Sequence, residues 1–404
     1  MKKVLYFIIP LIIGVVFAFG LNKFLDYKIN DLCKSKNLVP LMGEYATDIK
    51  GKGVIINNEF LSQDSIMMVG ASDLRHATRQ HPTRYFNTNR SKNTVFTIGR
   101  PFTQELQDAI VVGSTNPNIM KGKKVVLLES LQWFVHKNGV EKRDFQGRFS
   151  PVQFYTFLNN PKISKKSKDE LVKRTKVLLK GSDEYKSERL YSMLYNDESF
   201  TGKVEKVLLY PYFKLREKEV LLKEKGLLYR KLRTLKDKTP KDSELGKPFD
   251  WKKEDELAIK DAKKRVKNSP HKLDSNYYYK TLKPHLKKLK NKYANVNLLK
   301  SKEMGDYKYF LKICKEMNVD LTVVLMPCNP WYYDYAGVSQ KERFEFYDVI
   351  GNLAKKDGFK VMDLRDKENE DYYLRDVMHL GTRGWLDVSK KLYEQYNEKQ
   401  VFNN

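Results

Sequence analysis

The sequence predicts an α/β fold: a five-stranded parallel sheet with flanking helices, a large helical insertion between strands 3 and 4, and one N-terminal transmembrane helix. Three observations lead there. Five short apolar runs, 66–69, 94–98, 123–128, 320–326 and 359–364, have the length and composition of strands. Stretches of helical period lie between them, an alternation that builds a parallel sheet covered on both faces. From about residue 150 to 310 the strand signals stop, and Leu, Lys and Glu recur at helical spacing.

At the start of the chain, Lys2 and Lys3 precede residues 4–21, 18 residues without a charge, long enough to span a membrane with little tilt. The two lysines favour a cytoplasmic N-terminus, whereas Lys23, Lys28, Lys34 and Lys36 on the other flank oppose that orientation. Ala18-Phe-Gly20 also resembles the small-x-small site of a cleaved signal peptide. Both readings export residues 22–404; the first gives a single-pass cell-membrane protein with an extracellular body. Residues 22–64 are mixed and polar and read as a connector with a short helix, leaving 65–404 as the main domain.

Strand 1 stops at Gly70 and the chain bends, presenting Ser72 at the C-terminal edge of the sheet, where a nucleophile would sit. The same position suits a helix N-cap, and local sequence does not separate the two readings. Turn chemistry follows at His81-Pro82 and Asn87-Thr-Asn89, then strand 2 ends at Gly99. A helix over 104–112 leads to strand 3. Inside the insertion, 168–179 and 204–235 are helical. Helices over 305–317 and 340–356 precede strands 4 and 5, and 382–395 forms the terminal helix.

Lys and Arg number 76 against 50 Asp and Glu, a net charge of +26. Residues 201–300 carry 29 basic and 13 acidic side chains, so +16 of that charge sits in the insertion. A polyanion is the natural partner class, and for an exported body nucleic acid is a poor candidate. Lys263-Lys-Arg265 and Lys287-Lys-Leu-Lys290, near Tyr277-Tyr-Tyr279, read either as a polymer-binding surface or as a solvated helical face. Cys33, Cys314 and Cys328 are too few and too far apart for a disulfide framework, and six histidines without metal-ligand spacing argue against a structural zinc.

The chemistry turns on Asp376-Val-Met-His379, after the last strand. An i, i+3 spacing puts carboxylate and imidazole on one side of a turn, so that Asp376 can hold His379 in one tautomer while the other ring nitrogen faces outward. With Ser72 this makes a candidate Ser-His-Asp triad, although Asp-x-x-His alone also describes a surface ion pair. Candidate oxyanion donors are the backbone N–H groups of Ser72 and Gly99 and the side chain of Asn329. His76 and His81 are poor bases for Ser72, because they lie past the bend.

These residues sit in a wider pattern: Val-Gly-Ala-Ser-Asp-Leu (69–74), His81-Pro-Thr, Gly-Lys-Lys-Val-Val (122–126), Gln132-Trp-Phe134, Asn268-Ser-Pro, Pro327-Cys-Asn, Trp331-Tyr-Tyr-Asp-Tyr335 and Asp376-Val-Met-His-Leu-Gly381. The pattern spans nearly the whole chain. It resembles the SGNH/GDSL hydrolase superfamily and, more closely, the DltD family of D-alanyl-lipoteichoic acid biosynthesis proteins of Gram-positive bacteria. Where that family has Gly-Ser-Ser-Glu-Leu, this chain has Gly-Ala-Ser-Asp-Leu and keeps the second serine. The resemblance implies an SGNH-hydrolase-like domain, no cofactor, and Ser72, His379 and Asp376 as catalytic residues, with Trp133, Trp331 and Tyr335 as substrate-binding candidates. It further implies serine-dependent O-acyl transfer of D-alanine onto teichoic acid at the outer face of the cell membrane, beside a D-alanyl carrier protein and a membrane-bound O-acyltransferase. A thioesterase or esterase that removes misplaced D-alanyl groups, and a non-catalytic scaffold for those partners, are the rival readings.

Overall fold

The computed structural model describes residues 2–44, 47–75, 78–88, 90–236 and 248–397, with the side chains of residues 2–8, 11 and 75 left out. Five strands form one parallel sheet: β1 (Ile66–Gly70), β2 (Val95–Gly99), β3 (Lys124–Glu129), β4 (Asp320–Leu325) and β5 (Lys360–Asp363), in the order β2-β1-β3-β4-β5. Helices used below are α1 (Lys2–Ser35), α2 (Glu105–Gly113), α3 (Phe200–Thr234), α4 (Trp251–Val266), α5 (Glu303–Glu316), α6 (Pro330–Tyr335), α7 (Gln340–Lys356) and α8 (Thr382–Asn397).

The strands are continuous apolar runs because both faces are covered. Met67, Val69, Phe96, Ile98, Val125 and Leu127 enter one core cluster, while Ile66, Met68, Val95, Val126 and Leu128 enter the other, the period-2 alternation of a pleated sheet. The first cluster packs under α2, α5 and α7. The second is closed by α8, through Trp385, Val388 and Leu392, and by Ala258 of α4. α4 thus belongs to the insertion between β3 and β4 yet covers the sheet, and it is tied there by Thr382 Oγ1 donating to the Ala258 carbonyl at 2.7 Å. Strand order reverses between β1 and β3, so the C-terminal ends of those two strands border the crevice where open α/β sheets place their sites.

One expectation changes, and another falls partly outside the described residues. Residues 22–64 are no polar connector: α1 continues to Ser35, three short helices follow, and Leu25, Ile29 and Cys33 at four-residue intervals join the first core cluster together with Leu38, Phe60 and Leu61. Their partner is α3, where Lys225 bonds Asn22 at 2.8 Å and Asp26 at 2.5 Å. The expected transmembrane span over 4–21 falls within α1, partly on residues whose side chains lie outside the described set. Among the described residues no helix is long and apolar enough to cross a membrane. Past residue 21 the helix turns polar and docks on α3. All three cysteines are buried free thiols.

Between α2, β3 and α5 lie four buried carboxyl groups, Glu105, Asp108, Glu129 and Glu303. Glu105 is in hydrogen-bond contact with both Glu129 and Glu303. Burial first, then mutual repulsion, pushes the acids well above the usual carboxylate range, with Asp108 and Glu303 among them. Because the folded state binds these protons more tightly, the stability they contribute is complete below the ordinary carboxylate pKa and is lost as pH rises. Glu303→Gln, which keeps size and removes the titration, is expected to stabilise the fold by on the order of 1 kcal/mol. The gain should be larger at pH 8 than at pH 5 by thermal unfolding; an equal gain at both would contradict the buried titration.

Candidate active site

β1 is buried at all five positions and ends at Gly70, whose φ of +153° no side chain tolerates well and whose added Cβ would press on Leu128 at 3.3 Å. Beside it Gly99, the register partner of Gly70, admits no side chain either: a Cβ there would stand 2.8 Å from the carbonyl oxygens of Gly70 and Ala71. The two glycines let the β1 turn lie flat against the end of β2. The chain then winds into one 3-10 turn over Ser72–Arg75.

That turn points the Ser72 hydroxyl at His379, with Oγ 2.7 Å from Nε2. On the other side of the ring, Nδ1 lies 2.8 Å from Asp376 Oδ2 and 3.0 Å from Oδ1. Nδ1 therefore carries the proton donated to the carboxylate, and Nε2 accepts from the serine. Asp376 Oδ1 also accepts the backbone N–H groups of Met378 (3.0 Å) and His379 (2.9 Å), which locks the carboxylate to its own loop. The loop is held in turn: Arg375 N donates to the His379 carbonyl, Asn329 N to the Val377 carbonyl, and Arg375 reaches Asp274 of the insertion at 3.2 Å.

Electrostatics make His379 a strong base. Burial, the largest influence, pushes its pKa down, but the charge of Asp73 and the hydrogen bond and charge of Asp376 outweigh it and carry it up to about 9. Burial likewise presses Asp376 upward, and the hydrogen bond from His379 reverses this, holding the carboxyl below its usual range. Asp73, only 2% exposed, is pushed up to about 6 by burial, and neither of its oxygens has a hydrogen-bond partner among the described residues.

A pocket of about 300 Å³ opens on Ser72 and His379. Phe102, Trp133, Tyr293, Tyr332 and Met378 give it a largely aromatic wall. Phe102 stands half-exposed at φ +66°, edge-on to Trp133 at 6.5 Å. Gln132 also lines it, with a buried side-chain nitrogen that has no partner among the described residues.

Of the residues singled out from sequence, Ser72, His379, Asp376 and Trp133 therefore come together. Gly99 does not line this pocket; it lies behind the serine turn and faces a small neighbouring cavity. Asn329 is the N-cap of α6, its side-chain oxygen accepting the Tyr332 N–H at 3.0 Å, and it is absent from the pocket lining. Trp331 and Tyr335 lie outside too. They stack on each other on the outer side of α6 with centroids 5.8 Å apart, and His271 stacks on Trp331 at 3.8 Å. His81 is fully buried against Trp385 and bonded to Thr83, with burial driving its pKa down to about 3; His76 is outside the described residues. Sequence reasoning assigned no role to Gln132, three residues past the end of β3, or to Asp73, the neighbour of Ser72.

The chain is similar to known proteins over most of its length. Residues 44–397 match the family model described as DltD protein. The chain is 27% identical over 353 residues to protein DltD of Bacillus subtilis (strain 168), covering 87% of each. It is 25% identical to protein DltD of Lacticaseibacillus rhamnosus over 84% of this chain and 79% of that one. The Staphylococcus aureus (strain NCTC 8325 / PS 47) protein DltD is 24% identical over 86% and 85%. With the family model covering the sheet, the insertion and the Ser72–His379–Asp376 loop alike, this chain belongs to the DltD protein family.

Proposed function

We propose that this protein is an SGNH-hydrolase-like acyltransferase that places D-alanine on teichoic acid through a Ser72 ester, at the outer face of the cell membrane. The observation that carries the reading is the 2.7 Å contact of Ser72 Oγ with His379 Nε2, backed by Asp376 on Nδ1, at the floor of a pocket. Family membership supports the D-alanylation role. The uncharged run over 4–21 supports a single-pass anchor with residues 22–404 outside, and the net charge of +26 supports a polyanionic acceptor.

In the first half-reaction Ser72 Oγ attacks the carbonyl carbon of an activated D-alanyl ester while His379 Nε2 takes the hydroxyl proton. The tetrahedral oxyanion is met by the Ser72 backbone N–H and the Gln132 side chain, the free donor at the pocket wall. Collapse expels the donor's leaving group, which takes the proton from His379. In the second half-reaction a polymer hydroxyl gives its proton to Nε2 and attacks the seryl ester, and Ser72 leaves as the alcohol. The donor is presented by the D-alanyl carrier protein and membrane-bound O-acyltransferase of the same system, with the exposed Lys263, Lys264, Lys287, Lys288 and Lys290 facing the polymer.

Transfer and hydrolysis part on the fate of the acyl group. With a radiolabelled D-alanyl thioester as donor, label is expected on teichoic acid when the polymer is present. Release of free D-alanine at an unchanged rate, with no label on added polymer, would make the protein an esterase instead.

The base also sets a pH dependence. Only neutral His379 can accept the Ser72 proton, so with its pKa raised to about 9 the rate climbs toward pH 9, about tenfold per pH unit below that value. Asp73→Asn removes the charge that raises it and should shift the rising limb to lower pH. An unshifted limb would separate Asp73 from the base.

A further inference from the structure

We infer that a second site, away from the serine, binds an anionic amphiphile: a phosphate-bearing head with acyl chains. A cleft of about 870 Å³ runs along α3 and shares no lining residue with the serine pocket. Its floor is apolar and well buried, built from Ile56, Phe149, Val152, Val220 and Leu228. Such a volume and lining suit a small lipid rather than a sugar or a nucleotide.

The rim has the opposite character. Lys223, Arg230 and Lys231 of α3 stand along it, and among the described residues none of them is in an ion pair. The carboxylates nearby are largely committed elsewhere. Asp48 pairs with Arg100, while Arg216 is held by Glu188 at 3.0 Å and Glu219 at 3.1 Å. Glu184 lies near Lys52. Glu224 spends one oxygen on the backbone N–H groups of Val54 (2.5 Å) and Ile55 (2.8 Å), and its other oxygen is buried in the cleft wall without a partner. An uncompensated cationic rim over an apolar floor fits a phosphate above and chains below. A phosphoglycerol lipid meets both features.

The opposite flank of α3, with Lys225 and Tyr229, is taken by α1 through Asn22, Asp26 and Phe24, and leaves the cleft side free of that helix.

The test is equilibrium binding to the full chain, read by native mass spectrometry, with dihexanoyl-phosphatidylglycerol as probe. A one-to-one adduct is expected, and Lys223→Glu/Arg230→Glu should weaken it by at least about tenfold, the modest end of losing close charge contacts. Glycerol 3-phosphate and dihexanoyl-phosphatidylcholine test head and tail alone, and each should bind at least about tenfold more weakly than the probe. If free glycerol phosphate matches the lipid, the site is a phosphate site. If the choline lipid matches it, or the double variant binds as the parent does, the cleft is merely greasy; each of these results overturns the inference. Ser72→Ala should bind the probe normally, so failure of the catalytic reading and failure of this one are told apart.

Discussion

Ser72→Ala is expected to abolish D-alanyl transfer, by about 10⁴-fold or more, while leaving the fold intact. The hydroxyl bonds His379 and, among the described residues, caps no helix N–H, so its loss should remove the nucleophile and little else. What remains is a pocket that still binds donor and still polarises its carbonyl, worth a residual rate over water but no covalent intermediate. Two measurements settle the matter together: teichoic acid D-alanylation in cells carrying only the variant, and trapping of a D-alanyl ester on the purified chain by mass spectrometry. Full D-alanylation with Ser72→Ala would defeat the serine mechanism and favour the scaffold. The scaffold predicts the reverse pattern, a harmless Ser72→Ala and damaging charge reversals at Lys263, Lys264 and Lys287.

The sheet was legible in the sequence for a physical reason. Its strands are covered on both faces, so Met67 and Met68, or Val125 and Val126, are buried in opposite clusters and appear in sequence as unbroken apolar runs. α7 was legible to the residue because Ser339 and Glu342 form a capping box at its start. Residues 22–64 were not, since Leu25, Ile29 and Cys33 are buried by an environment that includes α3, some 200 residues away, and no local window contains it.

The site divides along similar lines. Ser72, Asp376 and His379 were readable because an i, i+3 pair and a serine after a strand are local patterns whose meeting follows from strand-end geometry. Asp73 was not, because a charged residue in a turn reads as solvated and only the packed structure shows it buried beside the base. Trp331 and Tyr335 were assigned to substrate, yet α6 turns Tyr332 and Tyr333 inward and leaves Trp331 and Tyr335, four residues apart, on its outer side. Only the register of that short helix decides which aromatics face the pocket.

Asp376→Asn tests the tautomer itself, and here too a loss of about 10⁴-fold is expected, although the side chain keeps its size. Asp376 Oδ1 already accepts two backbone N–H groups, from Met378 and His379, so the amide oxygen of asparagine must take that place to keep the loop satisfied. Its NH₂ group then falls where Oδ2 stood, 2.8 Å from His379 Nδ1, and donates to it. The ring answers by moving its proton to Nε2, the nitrogen facing Ser72, which can no longer accept the hydroxyl proton. Flipping the amide restores the tautomer only by opposing two N–H donors with an NH₂ group. Loss of the carboxylate also lowers the His379 pKa, so the variant gains neutral imidazole at pH 7 and should still be slow, which separates a wrong tautomer from a protonated base. The decisive comparison is kcat/KM for the parent and Asp376→Asn at pH 7 and pH 9, with thermal midpoints for both. A variant within tenfold of the parent at both pH values would remove Asp376 from the mechanism and leave Asp73 as the carboxylate that matters to the base.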